Sequence, residues 1–145
     1  MIIAHKIALD PNNRQATYFA RACGTARFAY NWALAEWQKQ YKAREDDPSL
    51  PAPSEDSLRK HLNGLKDEQF PWMRDVTKNA PQQAIKNLGS AFKRFFAGQA
   101  EYPRFKKKGV HDSFRADPGP DKTHPNAVET RGQRIKLPVI GWVRM

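Results

Sequence analysis

The sequence predicts an α+β fold: one strand, three helices, then several short strands, with the helices inserted between strands of one sheet. Three observations carry this. Apolar residues recur at helical spacing between Pro11 and Gly98, and β-branched residues cluster at both ends of the chain. After Gly98 the helical period disappears, and five of the 11 prolines and four of the eight glycines follow it.

Residues 2–9 (IIAHKIAL) read as a strand ending at Asp10-Pro11, a pair suited to the N-cap and first helical positions. A long helix is then expected from about Pro11 to Arg44. Phe19, Cys23, Ala26, Tyr30, Ala33 and Trp37 share one face of it, with Phe28, Trp32 and Ala35 on a second. A helix apolar on two sides is expected to pack between neighbours. Gly24 weakens it by about 1 kcal/mol relative to Ala, a cost that close approach by a neighbouring element would explain.

Residues 45–53 (EDDPSLPAP) form a loop. Ser54 can cap a second helix carrying Leu58, His61, Leu62 and Leu65, closed by Gly64 and the Phe70-Pro71 step. A third helix should begin near Ala80-Pro81, with a core face of Ala84, Leu88, Ala91 or Phe92, and Phe95, and Gly98 as its C-terminal cap. Beyond it, 112–117 (DSFRAD) and 127–130 (AVET) read as short strands and Arg131-Gly132 as a hairpin turn. Residues 134–145 read as a strand broken at Pro138. That strand is still running at Met145, as in a partial product whose sheet is completed by further residues.

Composition narrows function. In 145 residues there is no apolar run of the ~18 needed to cross a membrane, and the opening is too short for a signal peptide. The single cysteine, Cys23, excludes an internal disulfide and favours a reducing, cytoplasmic setting. The net charge of +10 is uneven: residues 1–72 hold 10 Lys/Arg against 9 Asp/Glu, and residues 73–145 hold 15 against 6. Such asymmetry favours a polyanionic partner.

Catalytic chemistry is not evident. His5, His61, His111 and His124 lie far apart and share no ligand spacing with Cys23. No phosphate-loop, dinucleotide, nucleophile-elbow or zinc-peptidase motif occurs. Glu45, Asp46 and Asp47 sit in the Pro-rich loop, and no carboxylate set suits a two-metal nuclease. An active site wholly within these residues, or a cofactor to serve one, is not expected.

Binding chemistry is better represented. The third helix offers Gln82, Lys86 and Lys93 at near-helical spacing, with Gln83, Asn87 and Arg94 one step round. Amides and cations opposite an apolar face suit groove reading and phosphate contact; an ordinary solvated face carries the same pattern. In EYPRFKKKG (101–109), Arg104, Lys106, Lys107 and Lys108 are interleaved with Tyr102, Pro103 and Phe105. That layout fits an edge strand protected by lysines, or a grip with cations for phosphates and rings for stacking. Pro103 and Phe105 are expected to fix the backbone there, and Tyr102 is open between core and ligand.

Several stretches together resemble the N-terminal half of TnpB/OrfB proteins, which bacterial insertion sequences encode and which are related to compact type V CRISPR effectors. They are GTARFAYNWAL (24–34), PWMRDV (71–76), APQQAIKNLGSAFKRFF (80–96), YPRFKKKG (102–109), DSFR (112–115) and IKLPVIGWVRM (135–145), in order and spacing. The resemblance implies an incomplete wedge-type β-barrel interrupted after its first strand by a three-helix recognition insert. On that reading 1–10 is the first strand, 11–98 the insert and 99–145 the remaining strands. It implies guide RNA and double-stranded target DNA as partners, with base pairing supplying most specificity.

Placed like the family's flanking-motif readers are Lys78, Asn79 and Gln82, with Gln83 beside them. Lys86, Lys93, Arg94, Arg104, Lys106, Lys107, Lys108 and Arg115 are expected to meet phosphates or RNA, and Tyr102 and Phe105 to stack. At Asn79 and Pro81 the sequence departs from the family's apolar or aromatic residues. The family cuts DNA with a RuvC-like domain using Mg²⁺, expected downstream of the half that these stretches resemble. An autonomous helix-turn-helix DNA-binding protein, or one part of a split nuclease, are the competing readings.

Overall fold

Local sequence chemistry sets where each helix starts and stops. The computed structural model describes residues 2–119 and 127–145. Helix α1 spans Asn13–Asp46, starting later than Asp10-Pro11 would place it. Asn12 is the cap: its Oδ1 accepts the Gln15 N–H at 2.9 Å, and Gln15 Oε1 accepts the Asn12 N–H at 3.0 Å. This reciprocal capping box satisfies two amides left open at a helix start. Asp10 serves elsewhere, donating its N–H to the Arg144 carbonyl at 2.6 Å.

Helix α2 spans Glu55–Leu65, and the Ser54 hydroxyl caps it by accepting the Ser57 N–H, as expected. Leu58 and Leu62 are its buried residues, whereas His61 is exposed and meets the Trp32 ring edge-on. A 3₁₀ turn at Pro71–Asp75 buries Met73 and leads to α3, Asn79–Phe96. Pro81 lies in the first turn of α3, where no N–H is required. Gly98, at φ 74°, donates to the Phe95 carbonyl while Gln99 donates to Arg94, the Schellman closure that the sequence predicts.

The chain divides into two compact units, residues 1–21 with 116–145, and residues 22–115. In the larger one, Ala22, Ala26, Ala29, Ala33 and Leu34 of α1, Leu58 and Leu62 of α2, and Ala84, Ile85, Leu88 and Phe92 of α3 are buried. Small residues along α1 let the helix backbones approach. Trp37 stacks on Phe92 with centroids 4.2 Å apart, and Phe28 meets Phe70 and Trp72 edge-on. Both rings therefore pack as expected, but Ala35 is exposed. The close approach assigned to Gly24 occurs at Gly89 instead. A Cβ there would lie 2.7 Å from Glu55 Oε2 and 3.0 Å from Glu55 Cβ, whereas Gly24 meets only its own helix's Arg27 at 3.6 Å.

The smaller unit holds an antiparallel meander: β1 Glu129–Arg131, β2 Arg134–Leu137 and β3 Gly141–Arg144, in spatial order β1-β2-β3. Arg131 is the last paired residue of the first hairpin, so its loop is Gly132-Gln133, with Gly132 at φ 59°. The break at Pro138 holds: Ile140 donates to the Pro138 carbonyl at 2.8 Å across Val139.

Two predicted strands do not form. Residues 2–9 are exposed and unpaired in any ladder, and only an isolated bridge joins Asp10 to Arg144 at the β3 edge. Residues 112–117 cannot continue as a strand because Asp112 folds back to accept the Gly109 N–H, with His111 at φ 56°. The fold is α+β, and no barrel is seen among the described residues.

Candidate nucleic-acid interface

All the base, phosphate and stacking residues expected from the sequence fall in the unit of residues 22–115. With Ala80, Pro81, Ala84, Ile85, Leu88 and Phe92 buried, helical geometry turns the opposite side of α3 outward. Asn79, Gln82, Gln83, Lys86, Asn87, Lys93 and Arg94 form that stripe, with the lysines and Arg94 exposed and Asn79, Gln82 and Gln83 half-buried. Lys78 is exposed just before the helix, and Asn79 leans its N–H on Thr77 Oγ1 at 3.4 Å.

The start of α3 is positively biased. Lys66, which ends α2, is nearly buried, and burial pushes its ammonium below the usual 10.5. The Arg74 charge pushes the same way, Asp67 pulls back less strongly, and Lys78 adds a smaller push. Asp67 is shared, since Arg74 Nε contacts its Oδ1 at 2.6 Å.

The basic segment has a fixed backbone. Pro103 is buried, and Tyr102 packs edge-on against Phe92 and Phe95, with centroids 5.4 and 5.1 Å away. This places Tyr102 with the aromatic core, though its ring stays partly exposed. Phe105, expected to anchor the segment, is instead half-exposed. Asn31 does the anchoring: Nδ2 donates to the Lys106 carbonyl at 2.9 Å, and Oδ1 accepts the Lys106 N–H at 2.7 Å. The Lys106 ammonium lies 4.6 Å over the Tyr30 ring, a cation–π contact. Burial pushes the Tyr30 phenol up, and the nearby Arg94 charge opposes it. Arg104 pairs with Glu101 at 2.9 Å in the open, while Lys107 and Lys108 are exposed beside them.

A cleft of about 130 Å³ lies between α1, α3 and residues 106–115. Gln83, Lys106 and Arg115 are the predicted residues it brings together, along with Cys23, Arg27, Asn87 and His111. Asp112 braces it, accepting from Arg27 at 3.0 Å and from the Gly109 N–H at 2.9 Å. Burial and the Asp112 charge push the Cys23 thiol up, with Arg27 acting the other way, so it is not an activated nucleophile. The remaining predicted residues lie outside this cleft; Tyr102 lines an aromatic groove with Trp37, Tyr41, Phe92, Phe95 and Phe96.

Sequence reasoning missed Asn31, Arg27 and Asp112. Their partners are 75 and 85 residues away, beyond any local pattern. The one available signal was an amide, Asn31, within an otherwise apolar helical run. Among the described residues no helix is long and apolar enough to cross a membrane.

A family model for the helix-turn-helix domain of IS605-type OrfB proteins matches residues 1–46. Those residues hold a single helix, α1, and the next begins only at Glu55. The chain is 33% identical over 141 residues to "Putative RNA-guided DNA endonuclease InsQ" of Escherichia coli (strain K12), covering 97% of this chain and 33% of that protein. It is 31% identical over 157 residues to "Putative RNA-guided DNA endonuclease MT2953" of Mycobacterium tuberculosis (strain CDC 1551 / Oshkosh), with the same coverage. It is 30% identical over 105 residues, 72% of this chain and 25% of the relative, to "Putative RNA-guided DNA endonuclease" of Streptomyces pristinaespiralis. The chain spans about a third of the length of the first two relatives. It is homologous over nearly its whole length to the N-terminal third of such TnpB-like proteins.

Proposed function

We propose that this chain, homologous to the N-terminal third of TnpB-like proteins, is the nucleic-acid-binding portion of an RNA-guided DNA endonuclease. In this reading residues 1–10 and 99–145 form the wedge portion and 11–98 the recognition insert. Guide RNA and duplex target DNA are the partners, and bond cleavage belongs to a Mg²⁺-dependent nuclease portion outside these residues. Lys78, Asn79, Gln82 and Gln83 read bases flanking the target. Lys86, Lys93, Arg94, Arg104, Lys107, Lys108 and Arg115 meet phosphates.

The observation that carries the reading is the fixing of Lys106 by Asn31 and Tyr30. A solvated basic loop has no use for a two-way amide clamp on its backbone. A phosphate grip does, because ordering the cations beforehand lowers the entropic cost of binding. The α3 stripe adds amides of the kind that read adenine edges.

The test is a salt titration of the purified chain with a structured RNA and a duplex DNA. Both affinities should fall steeply between ~50 and ~200 mM salt, and Gln82→Ala should shift base preference beside the target rather than overall affinity. Salt-insensitive or undetectable binding by folded protein overturns the reading. The match of residues 1–46 to a helix-turn-helix domain favours a second one, an autonomous duplex-DNA binder. Dimeric binding of a defined duplex site, indifferent to RNA, would establish it. Against it stands the loop of residues 47–54 between α1 and α2, longer than the 3–4-residue turn of that motif.

A further inference from the structure

The register of the sheet sets three arginines in one row. Arg131 on β1 is the direct partner of Arg134 on β2, and Arg134 is the partner of Arg144 on β3. Directly opposed residues share a face, and all three are exposed. The next row on that face is Glu129, Lys136 and Trp142. The other face carries Ile135 and Val143, both buried. The sheet therefore has an apolar side and a cationic side.

Like charges directly opposite one another destabilise a sheet, and little compensates them among the described residues. Asp10 Oδ2 lies 3.9 Å from Arg144 Nε, with both side chains about 70% exposed, so their attraction is small. Glu129 faces Lys136 in the second row. Arg131 is held over the Trp142 ring at 5.3 Å. Arg134, Trp142 and Arg144 also line a cleft of about 350 Å³ with Asp10 and the capping residues Asn12 and Gln15. Gln15 Nε2 steadies that edge by donating to the Trp142 carbonyl at 2.8 Å.

We propose that this sheet face is a docking site for a phosphodiester backbone, with Arg131, Arg134 and Arg144 meeting phosphate oxygens and Trp142 flanking a sugar or base. Strand spacing sets the backbone roots of the three arginines ~4.8 Å apart, and each guanidinium fork can bind a phosphate through two parallel N–H bonds. The proposal rests on the nucleic-acid reading above and extends it to the unit of residues 1–21 and 116–145. The opposed arginines are then an anion site whose repulsion the ligand relieves.

The test compares wild type, R134Q, R134K and R144Q of the whole chain, titrated with a structured RNA and separately with duplex DNA across ~50–200 mM salt. Each Gln variant should bind several-fold more weakly, with the salt slope lowered by about 0.7–0.9 per charge removed, and R134K should restore the slope. The melting midpoint of R134Q should equal or exceed that of wild type, because the central like charge is gone. A slope change confined to RNA, or to DNA, assigns the face to that ligand. If wild type binds while R134Q and R144Q keep its affinity and slope, the sheet site falls and the nucleic-acid reading stands. If wild type binds neither ligand, both fall. A lowered R134Q midpoint would overturn the repulsion on which the site is argued.

Discussion

The side-chain amide of Asn31 closes on both backbone groups of Lys106, giving to its carbonyl at 2.9 Å and taking from its N–H at 2.7 Å. A helix side chain here does what a neighbouring strand does in a sheet. Asn31→Asp keeps the acceptor and loses the donor, and Asn31→Ala loses both. Losing such pairs costs roughly 1–3 kcal/mol where the partners are left short of bonds; their exposure here places the expected loss at the low end. Amide exchange at Lys106 should accelerate in both variants. Unchanged protection would mean that Pro103 and Tyr102 alone hold the segment.

The lysine run divides by role. All three lysines are exposed, but the Lys106 ammonium lies over the Tyr30 ring. Lys107→Gln and Lys108→Gln should each lower the salt slope of duplex binding by about 0.9 with no change in melting. Lys106→Gln should instead cost about 0.5–1 kcal/mol of stability through the lost cation–π contact. Equal slope changes at all three positions would refute this division.

Glycine gives a matched pair. Nothing lies within 4 Å of a Cβ built on Gly64, whereas one on Gly89 collides with Glu55. Gly64→Ala should stabilise the chain by roughly 0.5–1 kcal/mol from reduced backbone freedom. Gly89→Ala should fail to give that gain and should lower the melting midpoint, since the Glu55 Cβ is part of α2 and cannot swing aside. Adding Glu55→Ala would not relieve the Cβ contact, so the double variant should stay below wild type.

What was legible in the sequence was local. Ser54 and Gly98 marked helix ends because each acts on amides or carbonyls within a few residues. The capping box at Asn12 and Gln15 was equally local, yet Asp10-Pro11 offered a competing start, and only the bond to Arg144 shows where Asp10 is used. The polar stripe of α3 followed from its period. Distant pairings were not legible. Arg27 with Asp112, Asn31 with Lys106, and the row of Arg131, Arg134 and Arg144 depend on tertiary contact or strand register. The failed strand at 2–9 has the same cause, since β-branched residues make a strand only where a partner edge is available.

Burial of Lys66 predicts a pH-dependent contribution to stability. It is 8% exposed, and burial together with Arg74 and Lys78 holds its pKa below 10.5. The unfolded chain then binds more protons than the folded one between the lowered value and 10.5. The cost of the buried charge is therefore fully present at neutral pH and is relieved as pH climbs through that window. Lys66→Met should raise stability at pH 7, measured by urea unfolding. Its advantage over wild type should shrink as pH approaches 10.5, where wild-type Lys66 also folds uncharged. Comparing the two proteins at each pH cancels the titration of other groups. An advantage that stays constant with pH would show that methionine gains through packing alone, and that the ammonium is not desolvated in the fold.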